Sequence, residues 1–244
     1  MAMALAEHGA DLMLIDKNGE GAARTAETIL ALGRRAEVQE MDVSDIAAMK
    51  ALFARIDRVF GRIDFLGNVA GESAMAPPET IPLEDVEKAW RNLVFGRFCA
   101  CQEAGRRMLA QGTGSIVNIG SLASITALGR GHVAYSMAMG AVAQMTRELS
   151  TEWAGRGVRV NAILPAQVTN PGLERRIAEA PALKDKFLSG IPAGRMGDPS
   201  DVKGLAVFLA SDASRWITGA LIPMDGGNLA VNAGGSVGPA GPRA

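Results

Sequence analysis

The chain has 244 residues, of which 48% are hydrophobic, and it carries 25 basic against 26 acidic side chains. This length and hydrophobic content suit one α/β domain with a well-buried core. The near-neutral balance, with a pI near 6.2 and no basic tract, argues against nucleic acid or an anionic membrane surface as a partner.

The sequence indicates a cytoplasmic protein without a metal site. It contains no apolar run long enough to span a bilayer, and its first residues lack the basic and apolar regions of a signal peptide. Cys99 and Cys101 stand two positions apart in a helical pattern, which favours reduced structural thiols over a disulfide. With His8 and His132 as the only histidines, no metal site is predicted.

Short apolar runs alternate with segments of helical periodicity along most of the chain. Strands are predicted at 11–15, 36–41, 65–69, 115–119 and 158–164, and helices at 1–9, 20–32, 45–60, 84–110, 135–154 and 202–210. Ser44 is expected to cap the helix that follows it. Strands that alternate with helices in this way indicate an α/β fold with a parallel sheet.

Asp16 stands at the end of the first predicted strand, before a turn that contains Asn18 and Gly19. In α/β folds that bind dinucleotides, a carboxylate at this place accepts hydrogen bonds from the adenine ribose and would repel a 2′-phosphate. The sequence therefore favours NAD over NADP. The alternative is that Asp16 is a solvated turn residue.

The chemistry is expected in a loop between a strand and a helix in the middle of the chain. Residues 115–119 form a short apolar run that ends beside Ser121, where side chains can meet a ligand. Fourteen residues later Tyr135 opens a helix rich in Ala and Met, so its phenol is expected to point back toward the strand end. Alternatively, the methionines of this helix, Met139 among them, merely fill its packing face.

This arrangement resembles the short-chain dehydrogenase/reductase family, in which a Ser at such a strand end and a Tyr followed four residues later by a Lys transfer a proton while a nicotinamide transfers hydride. The resemblance covers residues 2–228 and includes Asn68-Val-Ala-Gly71 and the closing run Thr218-Gly-Ala-Leu-Ile-Pro-Met-Asp-Gly-Gly227. It implies one Rossmann-like domain at 1–228, a doubly wound parallel sheet with helices on both faces, and a flexible tail at 229–244.

The resemblance also implies roles for individual residues. Tyr135 would be the catalytic proton donor and Ser121 the catalytic hydrogen-bonding residue that orients the substrate oxygen. Asp42 would hydrogen-bond the adenine, and the backbone of Val168 would face the nicotinamide carboxamide. The residues expected to bind the cofactor are Asp16, Asp42, Asn68, Ala70, Gly71, Tyr135, Pro165 and Val168.

Two catalytic positions depart from the family's pattern. Met139 stands where the family has its Lys, and a thioether supplies no positive charge and almost no hydrogen bonding. Leu93 stands where counting back from Gly96 places the family's proton-relay Asn. Asn92 lies one position off, roughly 100° around the helix, so without a local bulge it is expected to be an ordinary surface residue.

The family's Gly-rich turn, roughly T-G-x-x-x-G-x-G, has no match in this sequence. The first strand of the sheet is therefore expected to be missing from this chain, because the helix at 1–9 corresponds to the one that follows the turn. Either the start was assigned to an internal Met, or the protein lacks its central strand. The first explanation is preferred, since deleting that strand leaves unpaired backbone groups on its neighbours. As written, the chain is expected to bind dinucleotide weakly.

Three functions stay open on the sequence alone. The first is a short-chain oxidoreductase that transfers hydride between NAD(H) and a small alcohol or ketone, with an impaired proton relay. The second is a catalytically inactive binding or regulatory subunit in a hetero-oligomer with an intact relative. The third is a lyase or dehalogenase, which would need another activating cation such as Arg130 or His132. The polar segment 171–190 corresponds to the family's substrate lid and does not name the substrate.

An assembly of several copies is expected from the surface of the predicted helices. The helices at 84–110 and 135–154 carry more apolar surface than one side of a sheet can cover. A homodimer or homotetramer would cover this surface, and a hetero-oligomer with an intact relative is the alternative.

Overall fold

Strands and helices alternate along the chain in the computed structural model, which describes residues 1–232. The strands are β1 (Leu12–Asp16), β2 (Ala36–Glu40), β3 (Phe65–Asn68), β4 (Gly114–Ile119), β5 (Val158–Pro165) and β6 (Leu221–Met224). The α-helices are α1 (Ala2–Glu7), α2 (Gly19–Ala31), α3 (Ile46–Phe60), α4 (Leu83–Trp90), α5 (Gly96–Gln111), α6 (Val133–Trp153), α7 (Pro171–Glu179), α8 (Ala182–Leu188), α9 (Val202–Ala210) and α10 (Asn228–Asn232). The predicted bounds of β1 to β5 differ from these by no more than one residue.

All strands pair in parallel, and helices cover both faces of the sheet. Alternate residues of a strand point to opposite faces. Ile116 and Val160 accordingly pack against α3 and α5 on one face, whereas Val117 and Ile163 pack with α9 on the other. The predicted Rossmann-like α/β architecture is therefore confirmed.

The sheet is divided into two ladders. β1 pairs with β2, while β3, β4, β5 and β6 pair in that order. In the described chain, the edges of β1 and β3 that face each other have no strand partner. Residues of these two strands are mostly half-buried, whereas most residues of β4 and β5 are fully buried.

A cleft of about 760 Å³ lies between β1 and β3 and is lined by both strands and by α1, α3, α5 and α9. The cleft is partly open to solvent, so water can reach the unpaired backbone groups of the two facing edges.

Helix α1 lines the cleft and packs against α9. Met1 lines the cavity, and a Cβ atom added to Gly67 of β3 would lie 2.9 Å from the Met1 Sδ atom. α1 then leads into β1 through Gly9, which has a φ of +94°. A strand in the cleft that continued directly into α1 would therefore run parallel to both of its neighbours.

One local prediction was wrong. Asp45, and not Ser44, caps α3, because its carboxylate accepts a hydrogen bond from the Ala48 amide at 2.9 Å. The Ser44 amide instead donates to Asp42 at 2.8 Å. The predicted helix at 84–110 is present, and a π-helical turn at Arg91–Phe95 within it separates α4 from α5.

The carboxyl end of the described chain is helical across the predicted domain boundary. α10 begins at Asn228, and the amide of Leu229 donates to the Asp225 carboxylate at 2.7 Å. Residues 233–244 of the predicted flexible tail lie outside the described residues. Within residues 1–232, no helix combines the length and the apolar character that crossing a bilayer requires.

Candidate active site

Ser121 follows β4 directly and is held by a tight turn. Its hydroxyl oxygen accepts a hydrogen bond from the Ala123 amide at 3.2 Å, and its own amide donates to the Ser124 hydroxyl at 3.3 Å. This reciprocal pair caps a short 3-10 turn at Leu122–Ser124. Ser121 is 9% exposed, so its hydroxyl is fixed close to the carboxyl end of the sheet.

Tyr135 lies in the first turn of α6, which packs against the turn that holds Ser121. The phenol ring is half-buried and meets the His132 ring edge to face, with 6.3 Å between the ring centroids. No residue of the described chain hydrogen-bonds the Tyr135 hydroxyl. The structure therefore brings the two predicted catalytic residues to one region and leaves the phenol free to meet a ligand.

Met139 and Leu93 form an apolar wall behind Tyr135. Each is 1% exposed, and both belong to a cluster of buried side chains against which Tyr135 packs. Met139 therefore occupies a packing position. Neither residue can supply a charge or a proton to the phenol.

The π-helical turn at Arg91–Phe95 changes the position of Asn92. Its side-chain oxygen accepts a hydrogen bond from the Glu72 amide at 3.0 Å, and its amide group lies 3.5 Å from the Asp42 carboxylate. The expectation that Asn92 is an ordinary surface residue was therefore wrong. A π turn inserts one residue into a helix and is frequent at functional sites. The inserted residue accounts for the one-position difference between Asn92 and the place that the resemblance assigns to the proton-relay Asn.

A small pocket of about 160 Å³ collects several of the predicted cofactor-binding residues. Its lining residues are Asp16, Lys17, Met41, Asp42, Val43, Ala70, Gly71, Glu72 and Asn92. The hydrogen bond from the Ser44 amide is the main cause that lowers the pKa of the Asp42 carboxyl. Lys17 forms an ion pair with Glu72 at the mouth of this pocket. Asp16 and Asp42, far apart in the sequence, thus face one space.

Gly71 lines this pocket and cannot be replaced by a larger residue without strain. Its φ of +155° is rare for residues with a side chain, and an added Cβ atom would collide with the Leu93 side chain. The close packing of Leu93 on the backbone that follows β3 therefore requires a glycine at this position.

Asn68 has a structural role between the strands. Its side-chain amide donates to Asn118 of β4 at 2.9 Å, and Asn118 in turn donates to the Thr146 hydroxyl of α6 at 3.0 Å. All three side chains are at most 9% exposed. This buried network ties β3, β4 and α6 together.

Pro165 and Val168 lie where β5 ends. Val168 forms an isolated parallel bridge with Gly197, which fixes the loop against the segment after α8. Between them, Gln167 has a buried side-chain oxygen without a hydrogen-bond partner in the described chain. A buried acceptor without a partner suits an amide N–H of a ligand. Gln167 was not among the residues predicted from the sequence.

Arg97 is the second functional candidate that sequence reasoning missed. It is 5% exposed, and its guanidinium donates to the carbonyl of Ile119, which immediately precedes Gly120 and Ser121. A buried Arg in the second position of a helix gives no periodic signal, because one polar residue does not alter an amphipathic pattern. Its position beneath the site could be known only from the structure.

The two cysteines and the acidic residues form no metal centre in residues 1–232. Cys99 and Cys101 are both free and buried. Burial raises the pKa of Cys101 to about 12. No group of three or more His, Cys, Asp or Glu side chains in this part of the chain is arranged to hold a metal ion.

Comparisons with known proteins agree with this architecture. A family model described as enoyl-(acyl carrier protein) reductase matches residues 1–228. The chain is 38% identical over 227 residues to D-threitol dehydrogenase from Mycolicibacterium smegmatis, with 93% of this chain and 86% of that protein covered. It is 34% identical over 234 residues to a protein from Xanthobacter autotrophicus named inactive 2-(S)-hydroxypropyl-CoM dehydrogenase 2, with 95% of this chain and 100% of that protein covered.

A solved structure gives the same result. The gluconate 5-dehydrogenase from Burkholderia cenocepacia, in complex with NADP and tartrate, aligns with a TM-score of 0.87 and 32% sequence identity. The alignment covers 94% of this chain and 89% of that chain. The likeness therefore extends over the whole described fold.

Proposed function

The chain belongs to the short-chain dehydrogenase/reductase family, and we propose that it interconverts a hydroxyl group and a carbonyl group on a small polyol or sugar-derived substrate. The observation that carries this proposal is that Ser121, at the end of β4, and Tyr135, with an unbonded phenol, belong to elements that pack against each other. A hydroxyl and a phenol at one strand end can together bind the oxygen of such a substrate. Only the phenol then changes its hydrogen-bonding role as the proton moves.

The proton chemistry falls to Tyr135. In the direction of oxidation, its phenolate oxygen would take the proton from the substrate hydroxyl while the carbon–oxygen double bond forms and hydride leaves the same carbon. In the direction of reduction, the phenol would return the proton to the oxygen. Ser121 would donate a hydrogen bond to that oxygen throughout, which fixes the reacting carbon. A bound nicotinamide supplies the acceptor or donor of the hydride.

The residues present fit both ends of a nicotinamide dinucleotide. Asp16 and Asp42 share the pocket at the carboxyl ends of β1 and β2, which suits an adenosine. The orphaned oxygen of Gln167 and the backbone of Val168 suit a carboxamide at the other end. The amides of a Gly-rich turn, which would hold the pyrophosphate, have no counterpart in the sequence. We therefore expect weak dinucleotide binding by this chain.

NAD is the proposed cofactor in preference to NADP. The Asp16 carboxylate already accepts the Asn18 amide at 2.9 Å and is exposed, so a 2′-phosphate beside it would meet a negative charge. The related gluconate 5-dehydrogenase was solved with NADP, so the preference rests on Asp16 itself. Replacing Asp16→Ser should raise kcat/KM for NADP relative to NAD by about 10-fold or more, whereas Glu20→Gln on the exposed start of α2 should leave the ratio unchanged.

The substrate class is proposed from the nature of the site and of the relatives. Two of them are named for threitol and gluconate, both of which are polyhydroxylated. The segment 171–190, which corresponds to the family's substrate lid, contains α7 and α8 and follows the loop after β5. A polar, partly helical lid of this kind suits a hydroxyl-rich substrate better than a long apolar one.

A second candidate function is an inactive subunit that binds an intact relative. The apolar wall of Met139 and Leu93 favours it, because the relay positions of the family are filled by packing side chains. One of the relatives is itself named inactive. Turnover decides between the two candidates.

The deciding experiment measures oxidation of threitol, galactitol and gluconate, and reduction of the corresponding ketones, by the full chain with millimolar NAD and NADP. We expect turnover that falls by about 10²–10⁴-fold in Tyr135→Phe. The neighbouring Ser136→Ala serves as the matched control and should retain it. No turnover by the native chain on any of these substrates would contradict the proposal and favour the inactive subunit.

A further inference from the structure

Arg130 stands in the segment that leads from Ser121 to Tyr135, and the chemistry assigned to those two residues does not use it. Its φ is +58°, and within residues 1–232 it is the only residue other than glycine with a positive φ. A residue with a side chain is strained in this left-handed conformation. Such strain collects at functional sites, where the surrounding structure holds it in place. A use for the Arg130 side chain is therefore expected.

The backbone around Arg130 is fixed by contacts on two sides. The Ala76 amide donates to the Gly131 carbonyl at 3.1 Å, and a Cβ atom added to Gly131 would lie only 3.0 Å from the Ala76 carbonyl oxygen. The Nδ1 atom of His132 lies 2.9 Å from the Gly129 carbonyl oxygen and 3.1 Å from that of Arg130. These contacts hold the turn in the conformation that gives Arg130 its positive φ.

The Arg130 guanidinium lies over the ring of Phe187 in α8. The central carbon of the guanidinium is 5.5 Å from the ring centroid, a distance typical of a cation–π contact. Phe187 is 7% exposed, so its ring is a fixed platform. α8 belongs to the segment 171–190 that corresponds to the family's substrate lid. The cation therefore lies between this segment and the turn that precedes Tyr135.

The guanidinium has no carboxylate partner in the described part of the chain. None of the ion pairs there includes Arg130. Its side chain donates one hydrogen bond, from Nε to the Leu128 carbonyl, which is long at 3.4 Å. The two terminal nitrogens are therefore available to a planar acceptor, and a carboxylate is the acceptor that a guanidinium binds with two parallel hydrogen bonds.

One side chain connects this cation with the proposed proton donor. The His132 ring meets the Tyr135 ring edge to face, with 6.3 Å between the centroids, and its Nδ1 atom contacts the Arg130 carbonyl. A substrate several atoms long, with its reacting hydroxyl at Tyr135, would therefore reach past His132 to Arg130.

We propose that Arg130 binds the carboxylate of the substrate, so that the substrate is a polyhydroxy carboxylate of the sugar-acid class and not a neutral polyol. This inference rests on the proposed function, because it assigns the far end of the molecule whose hydroxyl reacts at Tyr135. A carboxylate held by the guanidinium fixes which hydroxyl of the substrate lies at the catalytic residues. A polyol that carries a primary alcohol at the same end leaves the cation unpaired and binds less well.

The test compares gluconate with glucitol, which share one carbon chain and differ at one end, where gluconate carries a carboxylate and glucitol a primary alcohol. With the native chain, kcat/KM should be higher for gluconate by about 10-fold or more. Arg130→Gln should remove most of this preference by raising KM for gluconate, with kcat nearly unchanged, because the contact is remote from the reacting atoms. Arg130→Lys keeps the charge without the planar fork and should have an intermediate effect.

Two further variants test the geometry. Phe187→Leu keeps most of the apolar volume but removes the aromatic ring, and it should raise KM for gluconate more than KM for glucitol. Arg156→Gln removes the same charge just before β5 begins, at the end of the sheet opposite Ser121. It should leave the preference for gluconate unchanged. An effect of net charge alone would lower the preference equally in Arg156→Gln and Arg130→Gln and would contradict the inference.

Calorimetry of gluconate binding, with millimolar NAD present, separates this inference from the proposed function. A preference for gluconate that persists in folded Arg130→Gln, or equal oxidation of glucitol and gluconate by the native chain, overturns the role of Arg130 and leaves the function standing. If the native chain oxidises neither, gluconate binding that is lost in Arg130→Gln and retained in Arg156→Gln supports the role and refutes only the function. Gluconate binding that is absent from the native chain, or equal in these two variants, then overturns both. Should Arg130→Gln fail to fold, Arg130→Gly, which suits the positive φ, takes its place.

Discussion

At the scale of single residues, Met139 has a packing role. Its side chain is 1% exposed and packs in one cluster with Leu93. An unbranched thioether fills irregular space well, which suits Met139 to this buried position. A Lys placed here would carry its charge into an apolar cluster and would need Leu93→Asn beside it for a polar partner.

The packing role of Met139 predicts how substitutions behave. Met139→Leu conserves volume and should change the free energy of unfolding by less than about 1.5 kcal/mol, with kcat/KM nearly unchanged. Met139→Ala should cost about 2–5 kcal/mol, because it leaves a cavity. Urea denaturation and the polyol assay measure both effects, and Met137→Ala, at a position 49% exposed, is the control. A large loss of activity in a stable Met139→Leu protein would show that the sulfur has a chemical role.

The buried thiols predict a decline of stability at alkaline pH. Burial raises the pKa of Cys101 to about 12 and also raises the pKa of Cys99. An unfolded thiol loses its proton near pH ~8.5. The unfolded chain therefore binds fewer protons than the folded chain above that pH, so the free energy of unfolding falls as the pH rises from about 8.5 toward 12.

This decline is measured by urea denaturation at several pH values. Cys101→Ala should show a smaller decline than the native chain, and both thiols should react slowly with a disulfide reagent at pH ~8 until the protein unfolds. Rapid modification of Cys101 in the folded protein would contradict its burial.

At the scale of elements, the π turn at Arg91–Phe95 shows what sequence periodicity can and cannot predict. The strands β1 to β5 were predicted within one residue because apolar runs of their length have few alternative conformations between turns. The π turn differs from an α-helix by a single inserted residue, which leaves the hydrophobic pattern almost intact. In the sequence it is visible only in the spacing of four residues, instead of the family's three, between Asn92 and Gly96. The inserted residue places Asn92 beside Asp42.

The site was predictable to a similar degree. Asp16, Asp42 and Gly71 could be placed at strand ends because parallel strands bring their carboxyl ends to one edge. The roles of Arg97 and Gln167 could not be predicted, because they depend on which buried atoms lack hydrogen-bond partners. Such information exists only after the chain has folded.

The exposed side of the helices α4, α5 and α6 predicts self-association. Phe98 on α5 is 44% exposed, Phe95 in the π turn is 50% exposed, and Met137 on α6 is 49% exposed. Large apolar side chains on neighbouring helices commonly mark an interface between copies. We expect a dimer or tetramer by light scattering at micromolar concentration, and Phe98→Glu should shift it toward the monomer. Leu30→Glu, at a position of α2 that is 54% exposed, should not, and a native monomer would contradict the expectation.

At the scale of the whole molecule, the divided sheet is the feature that governs stability. The facing edges of β1 and β3 expose backbone donors and acceptors to a cavity of about 760 Å³. A parallel strand would satisfy both edges at once, and Met1 and α1 line the same cleft. The cleft therefore has the shape and polarity of a position for one strand in the middle of the sheet.

A designed extension tests this directly. Five alternating Val and Ile residues followed by a Gly-rich turn, fused before Met1, should enter the cleft. Burying five such side chains contributes roughly 7–15 kcal/mol, and ordering them costs roughly 7 kcal/mol, so a net gain on the order of a few kcal/mol is expected. For a chain of this length that corresponds to a rise in Tm of about 5–15 °C.

Two matched extensions separate the contributions of the strand and of the turn. One carries Pro in the centre of the strand, which removes a ladder hydrogen bond, and it should lose most of the gain in Tm. The other keeps the strand and replaces the glycines of the turn by Ser. The extension with the Gly-rich turn should bind NAD more tightly than the native chain, as measured by calorimetry. The extension with Ser in the turn should keep the gain in Tm but lose this tighter binding, because a Cβ atom blocks the approach of the pyrophosphate to the backbone amides. If the Pro extension stabilised the protein as much as the Val and Ile extension, the segment would lie outside the sheet, and the cleft would have to be filled by water alone.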